Sequence, residues 1–158
     1  MAEPNAVAQA LARLESVETA ESAYGTTGCH FIHTVALETI PPVAEVFAQA
    51  GYYLEMLTAL DMRATEQAMH LVYQFNRMGA PDRHRVRAVL PAGQAAPSIA
   101  SIFQAANWYE REAFDMLGVT FEGHPNLTRI LTEEGADYHP LLKDFSAAEP
   151  AAPEASNG

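Results

Sequence analysis

Between Asn107 and Phe145, ionisable side chains crowd beside glycines and prolines. They fall as Glu110, Arg111 and Glu112; Asp115 before Met116, Leu117 and Gly118; Gly123, His124 and Pro125; Arg129, Ile130 and Leu131; and His139, Pro140 and Leu141. This spacing is too specific for generic core. Glu112 and Asp115 stand three apart, so on a helix they share a face, with Arg111 four before Asp115. Two neighbouring carboxylates can split their pKa values and act as acid and base. The same residues suit an arginine–carboxylate network that fixes the helix to the chain after it, or that meets arginines of another polypeptide. His124 and His139, with Glu112 or Asp115, hold the donors for a metal, but their spacing follows no ligand pattern. Each histidine precedes a proline, which biases it to the extended backbone of a chain laid over a surface. Trp108 and Tyr109 beside the acids suit an interface as well as a core.

Little else in the chain could do chemistry unaided. It has no glycine-rich phosphate loop, no Gly-x-Ser-x-Gly and no Cys-x-x-Cys. Cys29 is the only cysteine, so this chain alone cannot hold a cysteine-ligated iron–sulfur cluster or close an internal disulfide, and a reducing compartment is expected. The net charge of −11 argues against nucleic acid as a partner. Lys143 is the only lysine, and Arg77, Arg83, Arg85 and Arg87 gather the basic charge into one patch. That patch fits an acidic partner or a solvated hairpin end. His30 and His33 are expected to form a half-buried pair on one side of a strand. The first residues lack the basic start and apolar block of an export leader. No apolar run approaches the roughly 20 residues that cross a bilayer.

The elements that must position these residues follow from periodicity. The 158 residues make one domain of the α+β class. Asn5 can cap a helix whose stripe is Val7, Ala10, Leu11, Leu14 and Val17, with Glu15, Glu18 and Glu21 opposite, and residues 1–27 are expected as an N-terminal helix broken at Gly25 to Gly28. A core domain over 28–118 follows. His30 to Leu37 reads as a strand, and Pro41 and Pro42 start a helix through Val43, Val46, Phe47 and Ala50 to Gly51. Tyr53 to Leu60 is apolar enough for a central strand. Met69 to Phe75 and Arg85 to Leu90 alternate cleanly, and short links favour antiparallel hairpins. A small, mainly antiparallel sheet of about four strands with helices packed on it results. Pro91 to Pro97 is a loop. Ser98 can cap a helix carrying Ile99, Ile102, Phe103, Ala106, Ala113 and Leu117, ended by Gly118. Residues 119–145 show little periodicity and read as an extended interaction arm. Residues 146–158 have the composition of a disordered tail.

The order Glu110, Arg111, Glu112, Asp115, Met116, Leu117, His124, Arg129, Leu131 resembles the signature of one NADH-quinone oxidoreductase family, the 30 kDa subunit family of respiratory complex I. The likeness extends upstream through the strand pair Leu57 to Asp61 and His70 to Phe75, and through Ser98 to Asn107. It covers about residues 50–145. The resemblance implies a subunit of the hydrophilic arm, without a redox centre of its own, packed on the subunit that helps form the quinone site and near the iron–sulfur subunits. NAD, FMN, iron–sulfur clusters and quinone would then belong to partner chains. The assembly would pass electrons from NADH to quinone, coupled to proton translocation. The protein would lie peripherally on the cytoplasmic side of the inner membrane. Glu110, Arg111, Glu112, Asp115, Met116, Leu117, Gly118, Gly123, His124, Pro125, Arg129, Leu131, His139, Pro140, Lys143 and Asp144 become the motif and interface residues. One departure is Leu142, where the family ending His-Pro-Leu-Arg-Lys-Asp-Phe has arginine. Related subunits serve membrane-bound hydrogenases, formate hydrogenlyase, F420-linked dehydrogenases and the photosynthetic NDH complex. Two rivals from other classes are a free-standing metal-dependent hydrolase using Glu112, Asp115, His124 and His139, and an acidic adaptor unconnected with electron transfer.

Overall fold

Period-two burial sets the architecture. In a computed structural model that describes residues 4–79 and 82–146, five strands form one sheet. They are β1 (Val17–Glu21), β2 (Phe31–Val35), β3 (Tyr53–Asp61), β4 (Ala68–Asn76) and β5 (His84–Pro91), in the order β1-β2-β5-β4-β3. All pairs are antiparallel except β2 with β5. The expected class and the mainly antiparallel sheet are therefore found. Leu71, Tyr73 and Phe75 on β4 and Val86, Ala88 and Leu90 on β5 point into one core. Helices α1 (Pro4–Leu11), α3 (Ile40–Gln49) and α5 (Ala106–Leu117) add Val7, Leu11, Val43, Phe47, Ala106, Ala113 and Leu117 to it. The sheet folds over its helices on that face alone. Single turns α2 (Tyr24–Thr27) and α4 (Arg63–Glu66) bridge strands.

Three expected elements are corrected. Residues 1–27 are not one helix. The helix already includes Asn5, ends at Leu11, and is followed by β1, a fifth strand. Glutamates at positions 15, 18 and 21 mimic a helical face, but Ser16 sits at φ 60, and Val17 and Thr19 turn inward by strand alternation. The run from Tyr53 is an edge strand, not a central one. Its apolar content comes from α5 lying against it, where the Tyr109 hydroxyl donates to the Glu55 carbonyl at 2.9 Å. A register shift between Leu54 and Met56 explains why Leu54 and Leu57, three apart, are both buried. Finally, the helix expected from Ser98 starts only at Ala106, because turns occupy the intervening residues. Within the expected loop, β6 (Ala96–Pro97) pairs in parallel with β7 (Phe121–Glu122) and ties the loop to the start of the arm. Of the expected tail, residues 147–158 lie outside the described residues.

His30 and His33 do not form a pair. Three positions apart in extended chain, they face opposite sides. His30 stacks on Tyr24 with ring centroids 4.7 Å apart. His33 enters the core, where its Nε2 donates to His84 Nδ1 at 2.9 Å and its Nδ1 accepts from the Thr19 hydroxyl at 2.9 Å. His84 Nε2 donates to Asp82 at 2.9 Å, and Asp82 also accepts from the Tyr52 hydroxyl and pairs with Arg77 at 3.4 Å. Every ring nitrogen is satisfied with both imidazoles neutral. Burial, and next the neighbouring His84, pushes His33 down to about 3. Burial lowers His84 as well, against the pull of Asp82.

These histidines charge near pH 6.5 when unfolded. Their folded pKa values lie lower, so their contribution to stability is complete above pH ~6.5 and is lost as pH falls toward about 3 for His33. The limiting slope is about 1.4 kcal/mol per pH unit for each histidine. Urea unfolding from pH 6.5 to 5 is expected to show this loss above the range in which exposed carboxylates titrate. His33→Gln, whose amide keeps a donor toward His84, is expected to show a clearly shallower slope. Equal slopes would remove the buried pair as the source.

Candidate functional site

The C-terminal end of α5 leaves its last carbonyls without helical partners, and the arm supplies the missing donors. Gly118 turns the chain at φ 72, its N–H returning to the Phe114 carbonyl at 3.0 Å. The Asp115 carbonyl accepts from His139 Nδ1 at 2.8 Å and from Arg129 at 3.2 Å. The Met116 carbonyl accepts from Leu141 N–H at 3.0 Å. A side chain at Gly118 would be strained by its φ and would meet the His139 ring at 3.0 Å. Glycine here serves both the helix end and the close passage of the arm.

Asp115 is the centre of the joint. Its carboxylate is fully buried and accepts the N–H groups of Ile130, Leu131 and Thr132 at 2.8, 2.7 and 3.0 Å. The Thr132 hydroxyl donates at 2.5 Å and Arg129 at 2.8 Å. Burial alone would push this carboxyl up. The Thr132 hydroxyl and the three amides outweigh it and hold the group well below the usual carboxylate range. Arg129, rather than Arg111, is thus the cation that pairs with Asp115. Arg111 instead grips Thr128, its Nε donating to the carbonyl at 3.0 Å and Nη2 to the hydroxyl at 2.9 Å. Its guanidinium also lies over the Trp108 ring, 5.2 Å from the centroid.

The first acid of the motif points the other way. Glu110 is buried and holds the chain before the helix, accepting from the Ser98 hydroxyl at 2.5 Å and Ile99 N–H at 2.8 Å. Burial pushes its carboxyl up, against those two bonds. His124 lies 3.9 Å from Glu110, accepts Asn126 N–H at 3.0 Å and donates to the Asn107 carbonyl at 3.2 Å. Gly123, at φ 83, turns the chain into that histidine. A second anchor holds the arm's far end. Asp61, buried at the end of β3, binds Arg63 at 2.9 Å and accepts Lys143 N–H at 3.0 Å, while Arg63 reaches Asp144 at 2.6 Å. The Arg63 bonds hold Asp61 well below the usual carboxylate range. Leu142 packs against the core beside this anchor.

The acid–base pair weighed for Glu112 and Asp115 is not assembled, since Glu112 is exposed and Asp115 is saturated with donors. Nor do Glu112, Asp115, His124 and His139 converge. Among the described residues no three His, Cys, Asp or Glu are placed to hold a metal. Arg63, Thr128 and Thr132 escaped the sequence reading because their partners Asp144, Arg111 and Asp115 lie far along the chain, and Ser98, expected only as a helix cap, proves to bond Glu110. Among the exposed residues of α5 and the arm are three large apolar side chains: Trp108 is 62% exposed, Leu131 60% and Leu141 59%. Tyr109, by contrast, is half-buried against β3. Pro125 and Pro140 follow their histidines along the arm.

A family model described as "Respiratory-chain NADH dehydrogenase, 30 Kd subunit" matches residues 33–151. An NADH-quinone oxidoreductase subunit of Rhodobacter capsulatus is 47% identical over 89 residues, which is 56% of this chain and 45% of that protein. The mitochondrial NADH-ubiquinone oxidoreductase 30.4 kDa subunit of Neurospora crassa is 43% identical over 89 residues, 56% of this chain and 31% of its own length. The chain therefore spans less than half the length of these curated relatives. Among solved structures, a chain of the membrane-bound sulfane sulfur reductase, an archaeal respiratory membrane complex, shares the fold. Its TM-score is 0.76 at 22% identity, covering 90% of this chain and 84% of that one.

Asp115→Ala is expected to cost about 3–5 kcal/mol, as removal of one partner from a buried, fully bonded ion pair does. Hydrogen exchange at the amides of Ile130, Leu131 and Thr132 should rise by orders of magnitude. Those at β4 should rise only with global stability. Unchanged protection at these three amides would show that the carboxylate is not what holds the arm.

Proposed function

The chain belongs to the respiratory-chain NADH dehydrogenase 30 kDa subunit family, and from that premise we propose that it is a cofactor-free structural subunit of a complex I-type NADH-quinone oxidoreductase. It docks on the quinone-site subunit and the neighbouring iron–sulfur subunits, on the cytoplasmic side of the membrane. NAD, FMN, clusters and quinone are held by those partners, and the complex moves electrons from NADH to quinone with proton translocation. No helix among the described residues is long and apolar enough to cross a membrane, in keeping with attachment through other chains.

The observation that carries this reading is the inward use of the motif. Glu110, Asp115, Arg129 and His139 bond within the chain and give the arm a fixed shape. Trp108, Arg111 and Glu112 on the helix, with Leu131 and Leu141 on the arm, then form the outward docking face, around an exposed aromatic of the kind that anchors interfaces. Lys143, whose side chain is exposed, extends that surface. The rival is the equivalent component of a membrane-bound hydrogenase, formate hydrogenlyase or F420-linked complex. The names of the two relatives reported above, quinone and ubiquinone oxidoreductases, favour the quinone assembly.

Trp108→Ala and Arg111→Ala are expected to lower the yield of assembled complex at least fivefold, with quinone turnover per assembled complex within about twofold of wild type. Assembly at normal yield with slow turnover would put these residues in the chemistry instead. Elemental analysis of the purified chain gives a second check. A stoichiometric metal that disappears in His124→Ala would turn the reading toward a metal-dependent hydrolase.

A further inference from the structure

The sheet has two faces, and the longer helices α1, α3 and α5 cover only one. None of the alternate strand positions joins the hydrophobic cluster beneath the helices, although Ala68 and Val72 on β4 are themselves buried. On the open face, one rung sets Glu18, Thr34, Arg87 and Val72 side by side across β1, β2, β5 and β4. The next rung carries Val89, His70 and Leu60.

Both ends of this face are chemically closed. Toward α2, Arg85 donates to Gln74 and to the Thr27 carbonyl, each at 3.1 Å. At the other end His70 pairs with Glu66 at 2.6 Å. Arg87 between them is exposed and has no partner among the described residues. The carboxylate on its own rung, Glu18, stands two strands away, roughly 10 Å by strand spacing, and is not bonded to it. Val89 and Leu60 beside it are 48% and 52% exposed. A shallow hollow of about 210 Å³ lies between Thr34, His70, Arg87 and Val89. In a chain of net charge −11, an exposed arginine beside Val89 and Leu60 is a local reversal of sign.

We propose that this open face docks an amphipathic segment of a neighbouring polypeptide. The segment sets an aliphatic side chain against Val89 and Leu60 and a carboxylate on Arg87. The inference rests on the reading of the chain as one component of an assembly, and adds a second surface on a different side of the fold from α5 and the arm. An anionic lipid surface is disfavoured because the chain as a whole would be repelled. A second copy packed face to face across a two-fold axis would bring Arg87 toward its own image.

To test it, p-benzoylphenylalanine is placed at Val89 and the complex is purified in mild detergent, irradiated and mapped by mass spectrometry. The expected adduct is one partner-chain peptide containing Asp or Glu. Its yield should fall at least fivefold with Arg87→Glu and stay unchanged with Arg13→Glu, another exposed cation. No adduct in an intact complex, an adduct to a second copy or to phospholipid, or a yield indifferent to Arg87→Glu would overturn this inference alone. A chain that purifies without partners would overturn the subunit reading and this inference together.

Discussion

A helix that ends with open carbonyls and a buried carboxylate needs donors, and the arm after Gly118 exists in its observed form because it brings them. Asp115 gathers three backbone amides, a hydroxyl and a guanidinium around one side chain. Its own carbonyl and that of Met116 take His139 and Leu141. Bonds to a charged acceptor contribute roughly 1.5–3 kcal/mol each when well made. Several converging on one buried group can therefore hold a segment that has almost no regular structure. Stripped of this joint, residues 119–145 would have too little apolar burial to offset the entropy of ordering them.

The second anchor shows how the arm's direction is decided. Asp61 closes β3, and Lys143 arrives there through its backbone N–H rather than its ammonium. Arg63, from the turn after that strand, joins Asp61 to Asp144. Leu142 packs on the core, and the guanidinium at this anchor comes from Arg63. With both ends fixed, the span between them is a shaped surface. In the proposed reading that shape is what a neighbouring polypeptide meets.

The sheet carries its own internal constraint in the Thr19, His33, His84 and Asp82 chain. A neutral imidazole has one donor and one acceptor, so a row of two can be satisfied in only one direction when its ends are a hydroxyl and a carboxylate. Phe31 and Phe47 pack on these rings, with Phe31 4.9 Å from His84 and Phe47 6.1 Å from His33. The row crosses from β1 to the start of β5 and helps hold an otherwise thin edge strand. It also explains why a polar residue recurs at inward positions in strands that are otherwise apolar.

Much of this was legible before folding. The alternation of β4 and β5, the glycine stop at Gly118, the aperiodic arm and the family signature are local patterns, and each reappears in the structure. Legibility failed where a local pattern had two physical meanings. Glutamates three apart at 15, 18 and 21 imitate a helix face and proved to belong to a turn and an edge strand. Apolar residues from Tyr53 imitate a central strand and proved to lie under α5. The residue types thus determined the elements, the mainly antiparallel class and the identity of the motif. Only the tertiary structure decided that Arg129 and not Arg111 meets Asp115, that Asp61 waits for Lys143, and that His33 finds His84. Periodicity acts between neighbours in the chain, whereas a buried charge takes whichever donor chain closure brings within about 3 Å.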